Sequence, residues 1–233
     1  FGTGTVTKAA TQTEEGVITY TCTVCSFAKN EAIPKLAAGG DTSTGSDKGT
    51  TTEAPKNTAT EAKQGDTVTD EVSKASYTVT STGDVPTVVY QSPDVKNATS
   101  VSVPAEVVVA GKTYKVTSVA KEAFKNNKKL KKATIGKNVE VIEDGAFAGC
   151  TALKSITIPA SVKKIGKNAF SGCKNLKTVT IKTTLLTKKT VGKNAFKGIN
   201  ANAKVKVPKS KLKAYKSILK SAGIKGKKQK ITK

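Results

Sequence analysis

Four Ala-Phe pairs recur along the C-terminal half of the sequence: Ala123-Phe124, Ala146-Phe147, Ala169-Phe170 and Ala195-Phe196. The steps between the phenylalanines are 23, 23 and 26 residues. Leu130, Leu153 and Leu176 keep the same step, as do Ile135, Ile158 and Ile181, and Cys150 and Cys173. A fixed period of this length means one short supersecondary unit stacked on copies of itself, which is a solenoid. Composition leaves little room for another architecture. Aromatic residues are 5% of the chain, Trp and Met are absent, and four of the six phenylalanines sit in the repeat. That supply fills a narrow column and not one large globular core. Solenoids offer long regular surfaces, so binding is the expected role and catalysis is not.

The remaining segments read as additions to this column. Residues 1–36 form a small β module: residues 4–10 and 16–22 alternate as strands, Cys22 and Cys25 bracket a knuckle-like turn, and residues 29–34 form a return strand. Residues 37–66 are Thr, Gly, Ala and Ser with almost no large apolar side chain. They cannot offset the entropy of ordering and read as a flexible linker. Residues 67–118 are β-rich, with alternation at 76–82, 87–91, 99–103 and 114–119, and a hairpin turning at Ala110-Gly111-Lys112. Val101 to Pro104 matches Ile156 to Pro159 of a later repeat, so the hairpin is an insertion in the first repeat. This region is expected to cap the N-terminal end of the stack. Residues 119–207 hold the repeats, each a strand, a turn, a second short extended piece and the Ala-Phe turn. Residues 208–233 are expected to form a capping helix and a basic tail. Pro208 suits the first turn, Leu212, Tyr215, Ile218, Leu219 and Ala222 share one face, and Gly223 supplies the stop. The fold class is thus mainly β with short helical turns.

Charge is distributed unevenly. Residues 1–120 carry 10 Lys against 13 Asp and Glu, whereas residues 121–233 carry 30 Lys against four acids, Glu122, Glu140, Glu143 and Asp144. Every basic residue is Lys, and the net charge is +23. Such a field attracts polyanions. Arg is the residue suited to bidentate base and phosphate recognition, and aromatics outside the Phe column are too sparse to stack bases, so no specific nucleic-acid binding is expected. No apolar run approaches the ~18 residues of a membrane span. A first residue of Phe and the Thr- and Lys-rich composition read as a fragment or an exported, processed form.

Residues 141–159, VIEDGAFAGCTALKSITIP, and 164–181, KIGKNAFSGCKNLKTVTI, carry a specific likeness. They resemble the BspA-type leucine-rich repeats of surface and secreted proteins of anaerobic bacteria, over residues 99–207. The run KVKVPKSKLKAY at 204–215 looks like the terminal cap of such proteins in gut Gram-positive anaerobes. The resemblance implies a right-handed solenoid, export or surface display, and adhesion or ligand binding. It transfers no catalytic residue and no ligand motif. Residues 10–16, ATQTEEG, and 20–25, YTCTVC, resemble a small cysteine-bearing repeat of similar surface proteins. Gln12 stands where that pattern has Cys, and no His follows.

The candidate chemistry is sparse. The chain has no His, which removes the Ser-His-Asp and Cys-His systems and the commonest metal ligand. Cys22 and Cys25 are at most a zinc half-site, since structural zinc takes four ligands; a disulfide or an inert remnant is the main reading. No cofactor is expected. Cys150 and Cys173 read as stacked buried thiols. Lys131, Lys154 and Lys177 repeat with the period and are expected to form a ladder about 5 Å apart, a cationic strip for ligand binding or simply solvated side chains. Glu140, Glu143 and Asp144 read as local charge compensation. The expected protein is a non-enzymatic monomeric binding or adhesion module, secreted or at the cell surface. Its partner would be a host protein or glycan, or an anionic cell-wall polymer. The alternative is a structural end-piece or electrostatic wall anchor of a larger exported protein.

Overall fold

The structure, a computed structural model, describes residues 5–8, 16–21, 28–33, 62–70, 73–91 and 98–233. The chain divides into two compact units, Phe1–Lys56 and Asn57–Lys233. In the first, β1 (Thr5–Lys8), β2 (Gly16–Thr21) and β3 (Ala28–Ile33) form an antiparallel sheet in that order. They fall on the two alternating segments and the return strand of the N-terminal module. Cys22 and Cys25 lie outside the described residues.

The second unit opens with β4 (Thr67–Thr69), β5 (Ser76–Ser81) and β6 (Thr87–Tyr90), an antiparallel meander. Within residues 62–66, which the sequence places at the end of the linker, Gly65 N–H donates to Val79 C=O and Val79 N–H donates to Asp66 C=O. Strand β7 (Ser100–Val103) then begins the stack. The hairpin β8 (Glu106–Val109) and β9 (Lys112–Val119) follows through a two-residue turn at Ala110 (φ 49°) and Gly111 (φ 77°). Two positive φ values in succession match the right-handed twist of the flanking strands.

From here the coils add parallel strands to two sheets, to both as far as Ile165 and to the first alone beyond it. The first sheet runs β7, β10 (Lys132–Ile135), β12 (Ser155–Ile158), β14 (Thr178–Ile181), β15 (Lys204–Lys206) and β16 (Lys230–Thr232). The second continues from β6 and β9 to β11 (Val141–Ile142) and β13 (Lys164–Ile165). Val101 pairs with Ala133 and Val103 with Ile135, which places the hairpin inside the first repeat as its sequence match implies. Burial alternates along the first sheet's strands, with Ile156 and Ile158 inside and Ser155 and Thr157 outside. Period-two patterning thus separates core from surface in every coil.

The Ala-Phe pairs do two jobs. The rings stack, with centroids 5.0 Å apart for Phe124–Phe147, 5.2 Å for Phe147–Phe170 and 5.4 Å for Phe170–Phe196. These distances lie close to the ~4.8 Å strand spacing, so a side chain repeated in register meets its own copy. The backbones are stitched as well. Phe124, Phe147 and Phe170 N–H donate to the carbonyls of Ala146, Ala169 and Ala195, at 2.7, 2.8 and 2.7 Å. Two tyrosines extend the column toward the N-terminus: Tyr90 lies 5.7 Å from Phe124, and Tyr77 packs edge-on to Tyr90 at 5.4 Å. Each Ala-Phe turn ends at a left-handed residue, Asn126, Gly149, Gly172 or Gly198, with φ of 62° to 75°. Only Gly and, less readily, Asn reach that conformation cheaply, which is why this column holds no other residue type.

Cys150 and Cys173 occupy the next rung as free, buried thiols. Their Sγ atoms donate to the carbonyls of Phe124 and Phe147, at 3.0 and 3.1 Å. Asn127 takes the equivalent place one coil earlier, where its Oδ1 accepts from the N–H groups of Lys129 and Leu130. Burial pushes both thiols up to about 12. A thiol in the unfolded chain ionises near ~8.5. The stabilisation is therefore complete below that pH and is lost as pH rises toward the folded value. Mass mapping after treatment with a thiol reagent at pH 8 should show Cys150 and Cys173 unmodified in the folded protein and modified in denaturant.

The C-terminal end is closed by a 3-10 turn (Lys209–Lys211) and helix α1 (Leu212–Ser221). Pro208 precedes them in an extended conformation. Gly223 N–H donates to Lys220 C=O and Ile224 N–H to Leu219 C=O, the paired bonds of a Schellman motif around Gly223 (φ 112°). Tyr215, Ile218 and Leu219 are buried, while Lys209, Lys213, Lys216 and Lys220 are exposed. The helix is a lid: Phe196 N–H, last in the Phe series, donates to Ala222 C=O. The three extra residues of the 26-residue step feed a loop that receives the helix. There Tyr215 OH donates to Thr183 C=O at 2.9 Å and accepts from Leu186 N–H at 3.1 Å. Replacing Tyr215 by Phe leaves both buried groups unpaired and is expected to cost about 2–3 kcal/mol, read as a lower urea midpoint.

Beyond the helix the chain does not end as a bare tail. Strand β16 adds to β15 with Lys204 opposite Lys230 and Val205 opposite Ile231. The sequence reading contained no strand here, because three residues embedded in lysines carry no readable alternation.

Candidate binding surface

The outward face of the first sheet is built by register. Lys132, Ser155, Thr178, Lys204 and Lys230 are successive partners across five strands. A second lane follows from the same pairing, with Thr134, Thr157, Thr180, Lys206 and Thr232 two residues further along each strand. Hydroxyl groups therefore occupy the middle of the face, and ammonium groups gather toward its C-terminal end.

Lys131, Lys154 and Lys177 run beside these lanes, where the chain enters β10, β12 and β14. All three are exposed. Lys154 N–H donates to Lys131 C=O at 3.4 Å and Lys177 N–H to Lys154 C=O at 3.0 Å, so the three residues are stacked in successive coils. In water two unit charges at this spacing repel by about 1 kcal/mol or less, and flexible side chains splay to reduce it. The ladder is thus tolerated structurally, and among the described residues none of the three makes an ion pair. The sequence pattern found this column; it missed Lys132, Lys204, Lys206 and Lys230, whose common face depends on β16 and on pairing across coils.

The four acidic residues of 121–233 are taken up locally. Glu122 Oε1 pairs with Lys125 at 2.9 Å, Glu140 with Lys163 at 2.8 Å and Glu143 with Lys164 at 3.5 Å. Asp144 Oδ1 accepts from Lys167 N–H at 2.6 Å. Glu122 is held below the usual carboxylate range by the Lys125 hydrogen bond. Glu140, Glu143 and Asp144 each face the next coil and do not converge on a cleft, in keeping with charge compensation. After Asp144 the sequence has no Asp or Glu at all, while 23 lysines follow. Among the described residues no cluster of His, Cys, Asp and Glu is arranged to hold a metal. Among the same residues no helix is long and apolar enough to cross a membrane.

Stacked parallel coils, a turn with a repeated ring position and a stacked Leu, Ile and Phe interior define a leucine-rich-repeat solenoid. Residues 113–226 match the family model of the BspA type Leucine rich repeat region, in six copies. This repeat region is a member of that family. Bacterial surface proteins are where these repeats are found, and such repeats are generally protein-binding modules and not enzymes.

Solved structures similar to the chain include the pneumococcal vaccine antigen PcpA, at 21% identity and a TM-score of 0.42 over 65% of this chain and 52% of that one. The T. pallidum Leucine Rich Repeat protein, TpLRR, is 21% identical with a TM-score of 0.42, covering 60% of this chain and 72% of that one. A leucine-rich repeat protein from Bacteroides capillosus is 26% identical with a TM-score of 0.36, covering 49% of this chain and 98% of that one. The chain spans about half the length of the pneumococcal antigen. No curated protein matches it.

Proposed function

We propose that this chain is a non-enzymatic binding module, displayed at the cell surface or secreted, whose outward sheet face holds a polyanionic partner. The observation that carries the reading is the unmatched cationic face. Lys131, Lys154 and Lys177 stand in register beside a lane of hydroxyls, and ion pairs among the described residues are made elsewhere, by Lys125, Lys163 and Lys164. Ammonium groups paired with hydroxyl donors suit carboxylate, sulfate or phosphate groups repeated along a polymer. A host glycan or glycoprotein of that kind fits, and so does an anionic wall polymer. Passage of the whole chain over immobilised anionic and neutral polysaccharides tests this. Retention is expected on the anionic matrix alone, weakening as ionic strength shortens the screening length from about 10 Å at 0.1 M. Equal retention on the neutral matrix, or none on either, would contradict it.

A second reading rests on a separate observation, the acid-free stretch after Asp144. There the lysines extend over the capping helix and the last strand, which suits an end-piece held electrostatically to its own cell wall. The two readings part at the cell: release of the protein from intact cells by moderate salt favours anchoring, and retention with binding to host material favours adhesion.

A further inference from the structure

Strand β16 ends the six-stranded sheet, and its pairing fixes which backbone groups it leaves free. Lys230 N–H donates to Ala203 C=O, and Thr232 C=O accepts from Val207 N–H. Residues 230 and 232 thus turn their peptide groups toward β15. Successive residues of a strand turn theirs to opposite edges, so the N–H and C=O of Ile231 point away from the sheet, where no strand among the described residues pairs with them. Against this edge lies a groove of about 590 Å³. Its apolar part is formed by Ile224 and Ile231, and Lys216, Lys220 and Lys225 stand around it. Ile224 is buried, Ile231 is half-buried and the three lysines are exposed. The groups present are an unpaired strand edge, an apolar strip and three ammonium groups, in a region with no carboxylate side chain.

We infer that this groove is a docking site for an acidic, extended peptide segment of a partner protein, which adds to the edge of β16 as a further strand. Each component of the site asks for one property of that partner. The free N–H and C=O of Ile231 need an extended backbone, because only a peptide supplies a C=O and an N–H at strand spacing. The Ile224–Ile231 strip needs an aliphatic side chain on one face. The lysines need carboxylates at alternate positions. A second copy of this chain is a poor occupant, since a lysine-lined edge meeting its own copy brings like charges together, a common device against edge-to-edge association. The site is separate from the lysine ladder beside β10, β12 and β14, and the inference does not depend on the ladder's role.

The test uses the full chain and three fluorescein-labelled probes read by anisotropy at fixed salt. They are an alternating Glu-Val peptide, the same peptide with N-methylated backbone at its central residues, and the Lys-Val analogue. The acidic peptide is expected to bind, the N-methylated peptide to bind about tenfold more weakly, and the Lys-Val analogue not to bind. A Lys216→Gln, Lys220→Gln, Lys225→Gln variant is expected to lose at least tenfold, and Ile231→Pro, which removes a donor the sheet does not use, a similar amount. Lys188→Gln, Lys189→Gln, Lys193→Gln, an equal loss of charge at exposed residues on neither surface, is expected to leave this affinity within about twofold. The N-methylated probe works on the parent protein, so the test stands even if Ile231→Pro unfolds. Equal binding of the acidic peptide and its N-methylated form would overturn the inference, as would full displacement by inorganic polyphosphate with no backbone effect. Both outcomes would mean that charge alone is being read.

Discussion

Replacing Phe170 by Ala should unfold the repeat region near ambient temperature or strip it of cooperativity. The ring is fully buried and stacked on both sides, 5.2 Å from Phe147 and 5.4 Å from Phe196. Removing it deletes the transfer free energy of the side chain and leaves a cavity between two rings that cannot move together, because backbone bonds on either side set the coil spacing. Phe-to-Ala changes of this kind cost about 3–5 kcal/mol. That is a large share of the ~5–15 kcal/mol holding a domain folded. Phe147→Ala should behave alike, its ring being buried between those of Phe124 and Phe170. Lys154→Ala, on the outer face, should be neutral or stabilising by at most ~1 kcal/mol, since it removes one like-charge neighbour from each side. Thermal melts of the three variants compare the two faces directly. A Phe170→Ala protein that melts with the parent, beside a Lys154→Ala protein that collapses, would show that inside and outside have been exchanged.

A comparable loss is expected from one methyl group at Gly166. A Cβ there would lie 2.4 Å from Asp144 N and 2.5 Å from Glu143 C, distances at which atoms of two backbones cannot coexist. Gly192 repeats the situation one coil on, with Lys167 N 2.4 Å away. At these points the coils pass so closely that a hydrogen atom is all the space admits. Gly166→Ala must push the coils apart, straining the bond from Gly166 N–H to Ile142 C=O at 2.7 Å. Overpacking of this sort costs about 3 kcal/mol, equivalent to a drop of roughly 6–12 °C in melting temperature for a unit of this size. Gly83→Ala is the control. No heavy atom lies within 4 Å of its Cβ position, so it should be neutral or gain a few tenths of a kcal/mol from a less flexible unfolded chain. Equal melting temperatures for the two variants would show that the coils are not in close contact at Gly166.

The repeat register was legible because its cause is periodic. A ring every 23 residues, with Leu and Ile at fixed offsets, can be satisfied only by stacking, and the strands then follow from alternation. The hairpin at Ala110-Gly111 was legible for a local reason, since Gly111 supplies a positive φ between two alternating segments. What sequence did not disclose depends on contacts between coils. Tyr77 and Tyr90 join the Phe column although they lie outside the period, because the meander folds back to present them. Tyr215 reaches Thr183 and Leu186 across about thirty residues, and nothing in its helical spacing indicates where its hydroxyl goes. Strand β16 forms where β15 offers an open edge; Ile231 and Thr232 suit a strand, but three residues are too few to announce one. The candidate surface divides the same way. Lys131, Lys154 and Lys177 share the repeat's period and were visible in it, whereas Lys132, Lys204 and Lys230 share a lane only through strand pairing.

The measurement closest to the central claim compares two triple variants with equal charge loss. One is Lys131→Gln, Lys154→Gln, Lys177→Gln on the ladder; the other is Lys188→Gln, Lys189→Gln, Lys193→Gln in the loop and turn of the last repeat. Affinity for a sulfated polysaccharide is followed from low to moderate salt. If the sheet face is the binding surface, the ladder variant loses at least tenfold and its salt dependence becomes shallower, while the loop variant stays near the parent. If both variants weaken equally, only the overall charge of the chain is being felt, and the assignment of the site to the in-register face is wrong.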